Sequence, residues 1–406
     1  MPNVVFVAPF FMEATLHFVD AAAQLPGVRL GLVSQEPIEK LRPESRRRLA
    51  AHTRVSDATN TAQIAAGVRE VAAELGSVER ILGTLEQLQV QLAEVRAGLG
   101  IPGLSVEAAH NFRDKSRMKS LLHGAGLPCA RHRLVGEVRA GLDFAAAVGF
   151  PIVVKPPAGA GARNTFRVDA LDALQQALEA MALSPQNPTL LEEFMTGQEH
   201  SFDSVCVRGQ LVWHSVSRYF PTPLEVLHNP WIQWVVILPR EIDSSQYADI
   251  RTAAARSLAV LGLETGLTHM EWFRKRDGGV AISEVAARPP GAQFTTLLSY
   301  AHATDMYRAW AHLMVFDEFA PPARVYATGA AFLRGQGTGR VRAIHGLEQV
   351  QREVGSLIVE SSLPAPGQPP TGTYEGEGYV IVRHPETAVV EEALRRIVSV
   401  VRVELS

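Results

Sequence analysis

Apolar runs of strand length alternate with helix-length amphipathic stretches from the start of the chain. Val4–Ala8 is almost wholly apolar, the pattern of a parallel strand covered on both faces. Glu13–Gln24 has helical spacing, and Val28–Val33 reads as a second strand. This β-α-β opening predicts a small doubly wound domain. A strand at Arg80–Gly83 and a helix near Leu85–Leu99, closed by Gly98-Leu99-Gly100 and Pro102, carry that domain to about Ser105. A helix then runs from Asp114 to His123 and is stopped by Gly124, Gly126 and Pro128. From Phe150 to Leu211 the pattern is strand, glycine-rich loop, strand, helix, strand. Trp213–Ile237 reads as an aromatic-rich insertion, Ser244–Leu261 as a helix and Ala301–Val315 as another. Pro321-Pro322 and the glycines of Gly335–Gly339 mark a third unit, which ends in a strand at Gly378–Val382 and a helix at Thr387–Val401.

The most informative stretch is Glu271 to Arg288. Apolar and β-branched residues flank Asp277-Gly278, a strong hairpin signal. Folded symmetrically about that pair, the chain places Glu271 opposite Glu284. Facing residues hold their Cβ atoms roughly 4.5–5.5 Å apart, where like charges repel. A cation between the carboxylates turns that repulsion into a site, and oxygen-only ligands suit Mg²⁺. Strand alternation puts Arg288 on the face of Glu284, and His269 on the face of Glu271.

A second constellation begins at Phe150-Pro-Ile-Val-Val-Lys155, a buried-type strand that ends in a lysine. The small-residue loop Ala158–Asn164 follows, with Gly159 and Gly161. Glycines let backbone N–H groups approach an anion, and lysine adds a point charge for phosphate. The loop lacks the ending of a Walker A motif. Further on, Leu190-Leu-Glu192-Glu193-Phe194 reads as a strand, with a turn at Gly197 and Glu199 beyond it.

Composition narrows the class. The 406 residues allow two or three domains, and 47% hydrophobic with 20% charged residues is ordinary for a soluble globular chain. A net charge of −3 gives no basic field for nucleic acid, and the compact basic run Arg46-Arg47-Arg48 suits a solvated helix face. Two distant cysteines, Cys129 and Cys206, form no metal or disulfide pattern and suit a reducing cytoplasm. The N-terminus lacks signal-peptide features, and no apolar segment is long enough to span a membrane.

Taken in order, these segments resemble the ATP-grasp superfamily, specifically its carboxylate–amine ligases of the L-amino-acid ligase kind. The resemblance implies an α/β chain with an α+β ligase core. A doubly wound domain (residues 1–105) would precede an ATP-grasp domain (106–320), whose nucleotide-binding lid covers about 130–195. A C-terminal α+β subdomain (321–406) would follow. Lys115 and Lys155 would neutralise nucleotide phosphates, beneath a loop carrying Gly159 and Gly161. Glu192, Glu193 and the backbone near Phe194 would meet adenine, and Glu199 the ribose. Glu271 and Glu284 would hold Mg²⁺, with Mn²⁺ as a substitute, and Arg288 would steady an acyl phosphate.

One position departs from the family: Ala286 stands where an asparagine usually ligates metal. The second metal would then have fewer protein ligands, or the activity would be weakened or lost. The expected reaction joins a small carboxylate, an amino acid for preference, to an amine. Arg218 is expected to grip a substrate carboxylate and His269 to line the reacting centre. Trp231 and Trp234 either wall the substrate or pack the insertion. The alternatives are a bicarbonate-activating carboxylase and an ATP-binding scaffold without turnover. A homodimer, as in many relatives, is compatible with the N-terminal domain.

Overall fold

The computed structural model describes residues 1–159, 164–181, 183–229 and 231–406. Its N-terminal sheet has four parallel strands in the order Ala51–Arg54, Arg29–Ser34, Asn3–Val7, Arg80–Leu82. All five residues of Asn3–Val7 are buried, and the four apolar ones suit a central strand covered on both faces. The helix Thr61–Leu75, which the apolar pattern did not single out, starts at Asn60, whose side chain accepts from the Gln63 amide. It lies against the sheet through Val68, Val71 and Leu75.

A small antiparallel sheet forms a second layer, in the order His132–Val135, Thr189–Glu193, Ile152–Lys155, Phe166–Val168. The helices Val138–Val148 and Leu171–Ala180 bury Phe144, Leu174 and Leu178 against it.

The largest sheet has eight strands. Its order is Val280–Ala286, Gly266–Lys275, Gly197–Val207, Gln210–Phe220, Trp234–Leu238, Ala327–Leu333, Gly378–His384, Ile358–Ser362. Two expectations change here. The aromatic stretch is not an insertion, because Gln210–Phe220 and Trp234–Leu238 are interior strands, joined through the short helix Pro223–His228. Its aromatic residues alternate into the core, with Trp213, Tyr219 and Trp234 at most 5% exposed. The helix expected at Ala301–Val315 is two, Phe294–His302 and Met306–Phe316, because Ala303 takes a left-handed conformation between them. The sheet also continues across residue 321, so strands on both sides of that expected boundary share one ladder.

Two features of this sheet shape the site. The hairpin turn is a three-residue loop centred on Asp277, with Gly278 left-handed and Lys275 bonded to Gly279. That loop pairs Trp272 with Ile282, one step away from the simple symmetric register. A bulge at Ser283 restores the step, so Glu271 does face Glu284. The outer edge of Val280–Ala286 is covered rather than exposed. Its amides donate to the Pro128 carbonyl (Ile282, 2.7 Å) and the Met118 sulfur (Val285, 3.3 Å).

Gly197 is not a turn residue; it opens the strand Gly197–Val207 at φ +154°. A Cβ there would lie 2.2 Å from the Arg274 carbonyl oxygen. Gly197→Ala is therefore expected to cost roughly 1–3 kcal/mol, measured by urea denaturation. An unchanged midpoint would mean that the strand absorbs the clash.

Candidate active site

One cavity of about 700 Å³ lies between the small sheet and the large one. It is lined by Lys115, Lys155, Gly159, Glu192, Glu193, Phe194, Glu199, His269, Glu271, Glu284 and Arg288, so the topology gathers these distant residues at one place. Its size falls within the range of small-molecule sites.

The cationic side is built from a helix start and a strand end. Asp114 caps the helix Lys115–Gly124 by accepting from the amides of Ser116 (2.8 Å) and Arg117 (3.0 Å). Lys115 thus leaves the first turn toward the cavity, where its Nζ meets Glu284 Oε1 at 2.7 Å and the Gly159 carbonyl at 3.0 Å. Lys155, at the end of its strand, forms an ion pair with Glu192 Oε1 at 2.9 Å. Burial pushes Glu192 upward, but Lys119 and Lys155 more than offset it and hold the carboxyl below its ordinary range. Gly161 lies outside the described residues, as do Ala160, Ala162 and Arg163.

The adjoining strand offers an edge for a planar ring. Glu193 forms a forked pair with Arg131, at 2.8 and 3.2 Å. The Arg167 guanidinium lies 4.6 Å from the centre of the Phe194 ring. The Phe194 amide already donates to the Pro151 carbonyl at 3.2 Å, so it is not free to meet a ligand.

Across the cavity the carboxylates carry the tension. Burial and the charge of Glu284 raise Glu271 above its usual range, and burial with the charge of Glu271 raises Glu199 well above it. Glu284 goes the other way: burial is outweighed by Lys115 and Lys155, and the group stays far below the usual range. Among the described residues no group of three or more His, Cys, Asp or Glu is arranged to hold a metal ion. Two facing carboxylates do fit a hard divalent cation that takes its other oxygens from phosphates and water. The raised Glu271 is the mark of negative charge that such a cation would relieve. Ala286 faces His269 and supplies no donor.

His269 donates or accepts at Nδ1 with the fully buried Asp203, at 2.6 Å, and its Nε2 is 3.9 Å from Glu271 Oε1. Burial alone would lower this imidazole, but Asp203 reverses the direction and favours the cation. Arg288 is held by Glu86 of the N-terminal unit, Nε to Oε2 at 2.5 Å, and by the Pro289 carbonyl at 2.8 Å. Glu86 and Asp203 were not singled out from sequence. Strand register supplies a signal for Asp203, which pairs with His269 once the neighbouring strand is known.

Arg218 is a correction. Its neighbour Tyr219 lines the cavity, so alternation turns Arg218 to the opposite face of the sheet. There it pairs with Glu391 of the helix Thr387–Val400 at 2.9 Å and donates to the Tyr247 hydroxyl at 3.3 Å. It braces that helix and is not placed to grip a substrate. Of the two tryptophans, Trp234 lines the cavity from the core, whereas Trp231 is 62% exposed and outside the lining.

Residues 120–302 match the ATP-grasp domain family. An L-arginine-specific L-amino acid ligase of Bacillus subtilis is 24% identical over 296 residues, covering 71% of this chain and 70% of the relative. An alanine–anticapsin ligase of Bacillus amyloliquefaciens is 22% identical over 271 residues, covering 61% of this chain and 56% of the relative, so the chain spans little more than half of it. The crystal structure of an L-amino acid ligase from Bacillus licheniformis superposes with a TM-score of 0.79 at 18% identity, over 100% of this chain and 99% of that one, and so shares its fold.

The facing carboxylates predict a gain in stability when one charge is removed. Glu271→Gln should stabilise the ligand-free protein by a few tenths to about 1 kcal/mol, read by urea denaturation near neutral pH. Destabilisation would show that the pair does not repel.

Proposed function

We infer that this chain, whose residues 120–302 match the ATP-grasp domain family, is an ATP-dependent carbon–nitrogen ligase of that superfamily. It joins a small carboxylic acid, an amino acid in our reading, to an amine and releases ADP and phosphate. The observation that carries this is the register that brings Glu271 and Glu284 face to face in the cavity holding Lys115 and Lys155. The names of the relatives support the amino-acid substrate.

The substrate carboxylate attacks the γ-phosphorus of ATP, and the bond to the β-phosphate oxygen breaks to leave ADP and an acyl phosphate. The amine then attacks the acyl carbon, phosphate departs and the nitrogen loses a proton. Phosphoryl transfer of this kind is mostly positioning and charge neutralisation, so no covalent nucleophile is needed. Lys115 and Lys155 meet the phosphates. Glu192, Glu193 and the Phe194 ring border the adenine, and Glu199 takes the ribose hydroxyls. Glu271 and Glu284 would hold Mg²⁺ or Mn²⁺, which supplies charge neutralisation at the transferred phosphate. Arg288, held at Nε by Glu86 and at Nη1 by the Pro289 carbonyl, would steady the acyl phosphate from the cavity wall. His269, whose cationic form Asp203 favours, would add positive charge beside it when protonated.

Among the described residues no helix is long and apolar enough to cross a membrane. Both cysteines are free, which supports a cytoplasmic location in this reading. A homodimer belongs to the same reading.

The test is ADP release with Mg-ATP across single amino acids, amino-acid pairs and bicarbonate alone. Release should require an acid together with an amine, stop with EDTA and return with Mg²⁺ or Mn²⁺. Release with bicarbonate alone would instead point to a carboxylase. Glu284→Gln should lower the rate at least about a hundredfold; full activity in that variant would remove the metal assignment. Arg288→Lys, which loses the planar fork, should reduce kcat by about tenfold or more while KM for ATP changes little. A change confined to the KM for ATP would place Arg288 on the nucleotide instead.

A further inference from the structure

Lys119 is absent from the cavity lining and 0% exposed. Its Nζ donates to the Ser283 carbonyl in the bulge at 2.7 Å and lies 3.4 Å from Glu192 Oε2, while Lys155 holds the other Glu192 oxygen at 2.9 Å. One buried carboxylate therefore sits between two ammonium groups, only one of which lines the cavity. An ammonium group is costly to bury, and an apolar side chain would fill the same space more cheaply.

The ATP site supplies a reason for this burial, and the inference rests on that reading of the cavity. Both lysines at the phosphate end are already committed, Lys115 to Glu284 and Lys155 to Glu192. Each ammonium has three N–H donors, and one that turns fully toward a phosphate loosens from its carboxylate. Glu284 then has the divalent cation. Glu192 is 5% exposed and would be left in the interior with its charge unmatched.

We propose that Lys119 is the standby counter-ion of Glu192. It takes over the carboxylate as Lys155 turns to the nucleotide phosphates, so that the turn leaves no orphaned charge. Lys119 is then a positioning residue that acts through Glu192 on Lys155. The bond to the Ser283 carbonyl keeps its ammonium group at the carboxylate throughout, because the bulge leaves that carbonyl outside the strand ladder.

The experiment measures affinity for Mg-ATP and for adenosine, by calorimetry, in the full chain. Lys119→Met should weaken ATP by roughly tenfold or more, since breaking a buried charge arrangement is costly, and leave adenosine within about twofold. Lys119→Arg should restore ATP binding. Adding Glu192→Gln to Lys119→Met should also recover much of the lost affinity, because an amide needs no counter-ion. Lys119→Gln, which can still donate to the Ser283 carbonyl, is the second variant should Lys119→Met fail to fold. Unchanged ATP affinity, an equal loss for ATP and adenosine, or a double variant as weak as Lys119→Met would each overturn the proposal. A wild-type protein that does not prefer ATP to adenosine would overturn the ATP-site reading and this inference with it.

Discussion

Two like charges facing each other on neighbouring strands set the terms for everything around them. Glu271 and Glu284 occupy directly opposed positions in a half-buried hairpin. Such an arrangement survives only if positive charge is supplied from elsewhere in the fold. Lys115 arrives from a capped helix start, Lys155 from the small sheet and Arg288 from the end of the hairpin's own strand. Each reaches the cavity already bound to a carboxylate. The site is thus a set of ion pairs, and in the function proposed above a polyphosphate with its cation would enter by exchanging partners within it. Selectivity for such a ligand would arise from this, because a neutral molecule offers nothing for either side to exchange.

The bulge at Ser283 connects this electrostatic pattern to the backbone. It corrects a register that the three-residue turn would otherwise displace, and a one-residue slip would have sent one carboxylate to the wrong face. It also leaves the Ser283 carbonyl free for Lys119. One irregular residue therefore sets the Glu271–Glu284 pair and anchors the buried Lys119 ammonium group behind it.

Much of this was legible in the sequence where the signal was local. The apolar run at Val4–Ala8, the helix opening at Asp114 and the hairpin around Asp277-Gly278 are short-range patterns, and the structure holds each of them. Glu271 and Glu284 face each other as simple symmetry predicts, but two departures from the assumed geometry cancel to produce that result. What was not legible depends on long-range pairing. Arg218 looked like a substrate ligand because an arginine among aromatic residues suits one; its parity relative to Tyr219 became readable only once the strand was placed. Glu86 lies in another sheet's connection, far from Arg288 in sequence, and no local pattern announces the pair. Lys119 resembled any helix lysine, since nothing along the chain says that its end is enclosed.

The continuity of the large sheet across residue 321 bears on the order in which the protein can be made. Trp234–Leu238 carries part of the cavity wall, and its outer neighbour Ala327–Leu333 is an interior strand only once Gly378–His384 has paired with it. All seven residues of Ala327–Leu333 are buried in the finished sheet. During synthesis that strand leaves the ribosome well before its partner, with an apolar, unpaired edge of the kind that recruits other chains. The hairpin of Gly266–Lys275 and Val280–Ala286 can therefore assemble early, while the sheet that backs the rest of the cavity waits for Gly378–His384.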